Sequence, residues 1–511
     1  PQIQRVWQAN LQVYGADKVW RQLNREPIVD VGQVSLRQLF SHIDYRALGG
    51  NTVQKIALTK LLLAIAQAAY TPKDSDDWKN IQPSGLAEEC LKYLDKWYDC
   101  FYLYGEKPFL QMPEIKAADV QSFGAVMAEI STGNTTVLTQ FQVEKSLTDA
   151  DKSLLIVQLM GFGLGGKKTD NSVVLSHGFQ GKFNDKGRPS TGKPGTSIGF
   201  LGFLHNFLQG ESLQETLWIN LFTQQQISDL GIYSQGIGTA PWEQMPAGEN
   251  CAIAEALKSS LIGRLIPLSR FCLLTGNGLH YSEGIAHLDY KAGGIDPSIS
   301  VDFSAKVPKA VWSDPEKRPW RILTALLGFF SQAGNRGFDC HQLRLNMGRA
   351  IQQIPIIGVW SGGLRVSNNA GEQYVSGSDD FVESMIQLES GLLGMGWFTN
   401  LQLEMDELDK LSKIVYGATF NYFKNQNMET KEQAAQASNL FWQLCERRFQ
   451  ELVNTCGNAE QALAMRPVFA RFVHKAYNTY CANDTARQLD SWARNRPDLR
   501  NYLKKPTKEA A

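Results

Sequence analysis

The chain has 511 residues with 51 basic and 51 acidic side chains, a formal net charge of zero. That length exceeds what one core holds, about 250–300 residues, so two or more domains are expected. A neutral total argues against a free-standing, avid nucleic-acid binder, which carries an overall basic excess, yet it leaves room for local basic patches inside an assembly.

In chain order, QVSLRQLF (33–40) enters a short helix, and TVQKIALTKLLLAIAQAAY (52–70) is a strong helix. A polar connector, TPKDSDDWKNIQPSG, follows. Residues 85–105 then read as a second helix, with Leu86, Cys90, Leu94, Trp97 and Phe101 on one stripe. STGNTTVLTQFQ (131–142) reads as a loop leading into an extended segment. DADKSLLIVQLMGFG (149–163) reads as a helix, with Asp149 or Asp151 as its cap. GESLQETLWINLFT (210–223) is helical, residues 240–350 mix helices with short extended pieces, and KAGGIDP (291–297) is a turn. IIGVW (356–360) reads as a strand that stops at a Gly- and Asn-rich polar tip, RVSNNAGEQ.

Beyond Asp380 the pattern turns helical. Phe381, Met385, Leu388, Leu392 and Met395 step by four and three, as do Leu408, Leu411, Val415, Ala418 and Tyr422. Ala437, Phe441, Cys445, Phe449 and Leu452 form a third stripe, and Phe469, Phe472, Ala476 and Tyr480 a fourth. Such stripes joined by short loops predict an up-down four-helix bundle. The expected fold is therefore α+β, with a large mixed domain over 1–378 and a four-helix bundle over 379–511.

No run approaches the ~18 apolar residues of a membrane span. The opening PQIQRVWQAN lacks a signal-peptide layout. The eight cysteines include no CxxC, so a zinc ribbon is not expected and a reducing, cytoplasmic location fits. His280 and His287 are seven residues apart, unlike the one-turn spacing of a shared metal site. Asp339, Cys340 and His341 are chain neighbours, which cannot face each other as a nucleophile and its base. No catalytic residue, metal or cofactor is expected.

Residues 167–197 hold Lys167, Lys168, Lys182, Lys186, Arg188 and Lys193 against Asp170 and Asp185, six minus two, or +4. This stretch is either a solvated linker or a phosphate-contacting loop. Just before it, GFGLGG (161–166) matches GxGxxG. A dinucleotide site needs that loop to leave a strand and open a helix, whereas the preceding residues read as helix. The other readings are a helix-ending glycine cluster, or a loop whose bare backbone approaches a nucleic-acid groove with Lys167 and Lys168 on phosphates. The tip holding Arg365, Asn368 and Asn369 is either an ordinary turn or a set of base-edge readers.

Several of these stretches, in order, resemble the large subunit of type I-E Cascade, the CasA family of CRISPR surveillance complexes. They are QVSLRQLF with the helix after it, DKWYDCFYLYGEKPFLQMPEIKA (95–117), STGNTTVLTQF, GESLQETLWINLF and SGGLRVSNNAG. The resemblance covers roughly residues 20–505. It departs at WRQLNREPIVDV (20–31), where the family has an FNL…PWIP segment, and at the tip, where the family often presents Gln and this chain has Asn368 and Asn369. The cysteine cluster of some members is absent.

The resemblance implies a non-catalytic subunit that reads the PAM in foreign double-stranded DNA while guide pairing reads the sequence. It implies a glycine loop at Gly163, Gly165 and Gly166 (Gly178 and Gly181 being a competing placement), a lysine at Lys291, and a strand-separating wedge at Arg365, Asn368 and Asn369. Asn134 and Thr135 would lie near the crRNA 5′ end. The implied partners are the backbone, tail and small Cascade subunits, crRNA, target DNA and the Cas helicase–nuclease, with no membrane. The different-class alternatives are a nucleotide-binding enzyme using residues 161–166, and a purely structural scaffold subunit.

Overall fold

The computed structural model describes residues 11–16, 28–127, 146–162, 169–170, 172–176, 202–288, 290–303, 306–330, 338–366 and 381–504. It is a mixed helix-and-strand protein with a helical C-terminal region. Two compact units divide it, one of residues 1–319 and 336–385, the other of 320–335 and 386–511.

The first unit is built around the helix Thr52–Ala69. Asn51 caps it, with its side chain accepting from the Gln54 amide in a capping box. Apolar residues lie on all its faces, so it is buried nearly throughout, Lys60 and Gln67 included. The helices Ser75–Lys96 and Asp149–Gly161 and the strand Ile356–Leu364 pack around it. That strand is the centre of a three-stranded sheet, between Phe381–Glu389 and His205–Gln209. It runs antiparallel to His205–Gln209, with Gly358 opposite Gln209 and Gly362 opposite His205. A second three-stranded sheet carries Val301–Asp302 between Phe338–Asp339 and Lys309–Ala310.

Three expectations are corrected. The polar connector is helical from Ser75, where the Asp74 carboxylate caps the amides of Asp76 and Asp77. Its exposed face is polar, but Trp78 is buried and stacks on Trp218 at 4.2 Å, each indole N–H donating to the other's carbonyl. The helix kinks at Gln82 (φ 54), because Pro83 disfavours helical backbone in the residue before it. The helix Asp149–Gly161 is capped by Thr148, not by Asp149 or Asp151, and Asp151 completes the capping box from the third helical position. Finally, Phe381–Glu389 is a strand, not the start of a helix. Its buried residues Val382, Ile386 and Leu388 share one face at a period of two, while Met385, a member of the predicted helical stripe, is exposed.

In the second unit the helices Met395–Lys424, Lys431–Thr455, Arg466–Tyr480 and Ala486–Arg494 follow one another, with a short helix Ala459–Ala464 between the second and third. Leu408, Leu411, Val415, Phe441, Cys445, Phe449 and Phe469 are buried as their stripes require. Trp320 packs at 4.5 Å on the Phe449 ring, and the Arg321 guanidinium sits 4.0 Å over Trp442. No described helix is long and apolar enough to cross a membrane.

Burial and the neighbouring Arg264 hold His287 down to about 3. Its Nε2–H donates to the Pro267 carbonyl and its Nδ1 accepts from Arg264, so the folded ring is neutral. Burial alone would raise Asp296; Lys60, His205 and Ser298 outweigh it and pull the carboxyl down to about 2. Both groups bind protons more readily when unfolded, at 6.5 and 3.8, so stability falls as pH drops. Denaturant titrations should show His287 costing stability from pH 6.5 toward 3, with Asp296 adding a loss below 3.8. His287→Asn should flatten the upper part of that slope. An unchanged slope in the variant would contradict the assignment.

Candidate nucleic-acid interface

Lys291 and Arg365 are the predicted interface residues that fall within the described residues. Lys291 sits in the single 3-10 turn Tyr290–Ala292 and is exposed. Its Nζ lies 5.8 Å from the Tyr290 ring centroid. The Tyr290 ring in turn meets Phe203 edge-on at 5.6 Å. Gly293 follows at φ +87, a left-handed conformation that favours glycine. The chain then dives inward. Asp296 is 1% exposed and forms an ion pair with Lys60, also 1% exposed. The other Asp296 oxygen accepts from the Ser298 amide at 2.9 Å and its hydroxyl at 2.7 Å.

This turn is tied to the sheet by a chain of buried polar bonds. Ser298 Oγ lies 2.8 Å from His205 Nδ1, and the Asn206 amide donates to the Ser298 carbonyl at 2.8 Å. Asn206 Nδ2 donates to Ser300 Oγ, and Ser361 Oγ donates to Asn206 Oδ1 at 2.6 Å. On the other side, the Gln342 amide donates to the Pro297 carbonyl at 2.8 Å. Asp296, Ser298, Asn206 and Ser361 thus have hydrogen-bond partners, as burial demands.

The strand end that bears Arg365 lies beside Gly202, the residue before Phe203. Arg365 is exposed, between buried Leu364 and Val366 at the end of the strand Ile356–Leu364. Gly202 lies against both neighbours at φ +64. A Cβ there would stand 2.7 Å from Val366 Cγ2 and 2.9 Å from the Leu364 carbonyl oxygen. Phe203, the next residue, is fully buried with Ile299, Val301 and Ala310. Three segments distant in sequence therefore meet around Phe203: the turn bearing Lys291, the strand end bearing Arg365, and residue 202, where the chain returns from the basic stretch. Two exposed cations on one rigid base can hold an anionic surface such as a phosphate backbone.

Gly163, Gly165, Gly166, Lys167, Lys168, Asn134, Thr135, Asn368 and Asn369 lie outside the described residues. The GFGLGG stretch leaves the helix Asp149–Gly161, so the strand a dinucleotide loop requires is not there. His280 bonds the Ala118 carbonyl and His287 the Pro267 carbonyl. Among the described residues no group of three or more His, Cys, Asp or Glu could hold a metal.

The residues missed from sequence are the supports: Lys60, Phe203, His205, Asn206 and Asp296. Lys60 did carry a signal, since a cation next to the apolar run LLLAIA on a helix buried all round needs an internal partner.

The chain matches the family described as CRISPR-associated protein Cse1 over residues 27–480. A curated relative, CRISPR-associated protein CasA/Cse1 of Thermus thermophilus, is 25% identical over 320 residues, 58% of this chain and 56% of the relative. That match spans little more than half the relative's length. The crystal structure of Thermobifida fusca Cse1 superposes with a TM-score of 0.73 at 19% identity over 98% of each chain. A chain of a solved CRISPR RNA-guided surveillance complex gives 0.67 at 14% identity, over 97% of this chain and 99% of that one. These two likenesses show the fold.

Lys60→Met should cost about 3–5 kcal/mol in chemical denaturation, because it strands a buried carboxylate. Adding Asp296→Leu should recover part of that loss. A double variant no more stable than Lys60→Met would count against the ion pair as the reason.

Proposed function

Because this chain belongs to the CRISPR-associated Cse1 family, we propose that it is the large, non-catalytic subunit of a crRNA-guided Cascade surveillance complex and recognises the PAM in foreign double-stranded DNA. The supporting observation is that the turn bearing Lys291 packs on Phe203 through Tyr290, while the strand end bearing Arg365 lies against the adjoining Gly202.

In this reading Lys291 contacts the PAM duplex from its minor groove. The bare backbone of Gly163, Gly165 and Gly166 approaches the same groove, and Lys167 and Lys168 take phosphates. Minor-groove readout distinguishes few base pairs, so several PAMs are tolerated. Arg365, Asn368 and Asn369 form the wedge that parts the first base pair next to the PAM. Unstacking a step costs a few kcal/mol, offset by PAM and backbone contacts, and guide pairing then proceeds away from that point. Asn134 and Thr135 lie near the crRNA. The backbone, tail and small subunits hold the chain in the complex, the last through the helical bundle. The opened target brings in the Cas helicase–nuclease. The work is done in the cytoplasm. The zero net charge suits a subunit docked on an RNA-bearing assembly, which does not grip DNA alone.

The test is duplex binding by the guide-loaded core complex, with and without this chain, against a PAM library and PAM-less controls at fixed salt. Adding the chain should create PAM-dependent binding. Lys291→Ala should weaken it across the library, and the Asn368→Ala, Asn369→Ala pair should reduce strand opening with assembly intact. A chain that joins the core and leaves DNA binding unchanged is a scaffold, and the proposal fails.

A further inference from the structure

The turn that bears Lys291 runs between two fixed points. On the outgoing side His287 bonds the Pro267 carbonyl. On the returning side Ile295 packs on the Phe203 cluster and Asp296 enters its buried ion pair with Lys60. Between them Leu288 is 59% exposed, and Lys291 is exposed as well. A Cβ at Gly293 would meet nothing within 4 Å. Tyr290 is the described side chain of this stretch that packs inward. It is half-buried, and with Ile295 it lies against Phe203, Ile299, Val301 and Ala310.

The Tyr290 ring meets Phe203 edge-on, at 5.6 Å and 86°. Phe203 is fully buried, meets the Trp312 ring at 5.9 Å and pairs with Trp312 in an antiparallel bridge. Tyr290 therefore stands on a residue held by both packing and backbone pairing. Its carbonyl accepts from the Gly293 amide at 3.3 Å, which closes the turn around Lys291. Lys291 Nζ lies 5.8 Å from the centroid of the same ring, within the range of a cation–π contact. Among the described residues no carboxylate pairs with Lys291, and the Tyr290 hydroxyl has no hydrogen-bond partner. The ring is thus what fixes the turn and what the ammonium meets. A lysine on a free stem must give up rotamer freedom when it binds. A ring beneath it removes part of that cost in advance.

We propose that Tyr290 is the positioning residue for Lys291 in PAM recognition: its ring ties the turn to Phe203 and gives the ammonium a fixed place from which to meet the minor groove. This rests on the PAM-recognition reading and adds to it a residue that acts through Lys291 rather than on DNA. The ring should therefore matter and the hydroxyl should not. Removing the ring should cost nothing once the lysine is gone.

The experiment measures PAM-duplex affinity of the assembled guide-loaded complex with wild type, Tyr290→Phe, Tyr290→Leu, Lys291→Ala, and Tyr290→Leu combined with Lys291→Ala. Tyr290→Phe keeps the ring and should stay within about twofold of wild type, since both rings attract a cation. Tyr290→Leu keeps an apolar contact for Phe203 without a ring and should lower affinity about fivefold, the upper end for an exposed contact of this kind. The double variant should bind as Lys291→Ala does, because residues that act as one unit are not additive. Unchanged affinity in Tyr290→Leu overturns the inference, as do equal losses in Tyr290→Phe and Tyr290→Leu, or losses that multiply in the double variant. So does a Tyr290→Leu chain that no longer joins the complex, which makes the ring a stability element only. If Lys291→Ala itself leaves PAM binding unchanged, the failure belongs to the functional reading instead.

Discussion

Lys60 and Asp296 are two opposite charges with almost no access to water, and the candidate interface hangs on their attraction. Burying either alone would cost several kcal/mol; together, with Ser298 filling the remaining acceptor sites, the arrangement holds. The pair joins the most buried helix of the first unit to a surface turn. From that turn the chain runs outward to Lys291 in one direction. In the other it enters the bonds of Ser298 with His205 and Asn206. An exposed lysine thereby inherits its position from a charge in the core.

Phe203 converts that fixed turn into a shared base. Its ring receives Tyr290 on one edge and Trp312 on another, and the residue before it must be glycine to lie against the strand end at Leu364. The strand end at Leu364 is thereby rooted in a paired strand and, through Gly202, next to a packed aromatic.

Much of the fold was legible because its signals are local. The helix over 52–69 declares itself by an apolar run and a good cap, and the helices over 395–424, 431–455 and 466–480 by stripes at helical spacing. The errors came where local patterns coincide. Residues 381–389 satisfy both a four-three spacing and a period of two, and only the neighbouring strand decides between them. The first turns of the helix from Ser75 hid behind a polar face because Trp78 is their buried side chain before the kink at Gln82. Lys291 and Arg365 could be named from sequence through family resemblance. Their supports could not, since Lys60 and Asp296 are 236 residues apart and nothing in either neighbourhood names the other.

The most direct measurement is site-specific photocrosslinking from the guide-loaded complex to a PAM-bearing duplex. A crosslinker would replace Lys291, Arg365 or, as a control, Lys92, an exposed residue of the helix Ser75–Lys96 in the same unit. Positions 291 and 365 should both capture base pairs at the PAM and its junction with the guide-matched sequence, while position 92 should capture none. Crosslinks from 291 and 365 that are absent, or that scatter along the duplex without regard to the PAM, would contradict it.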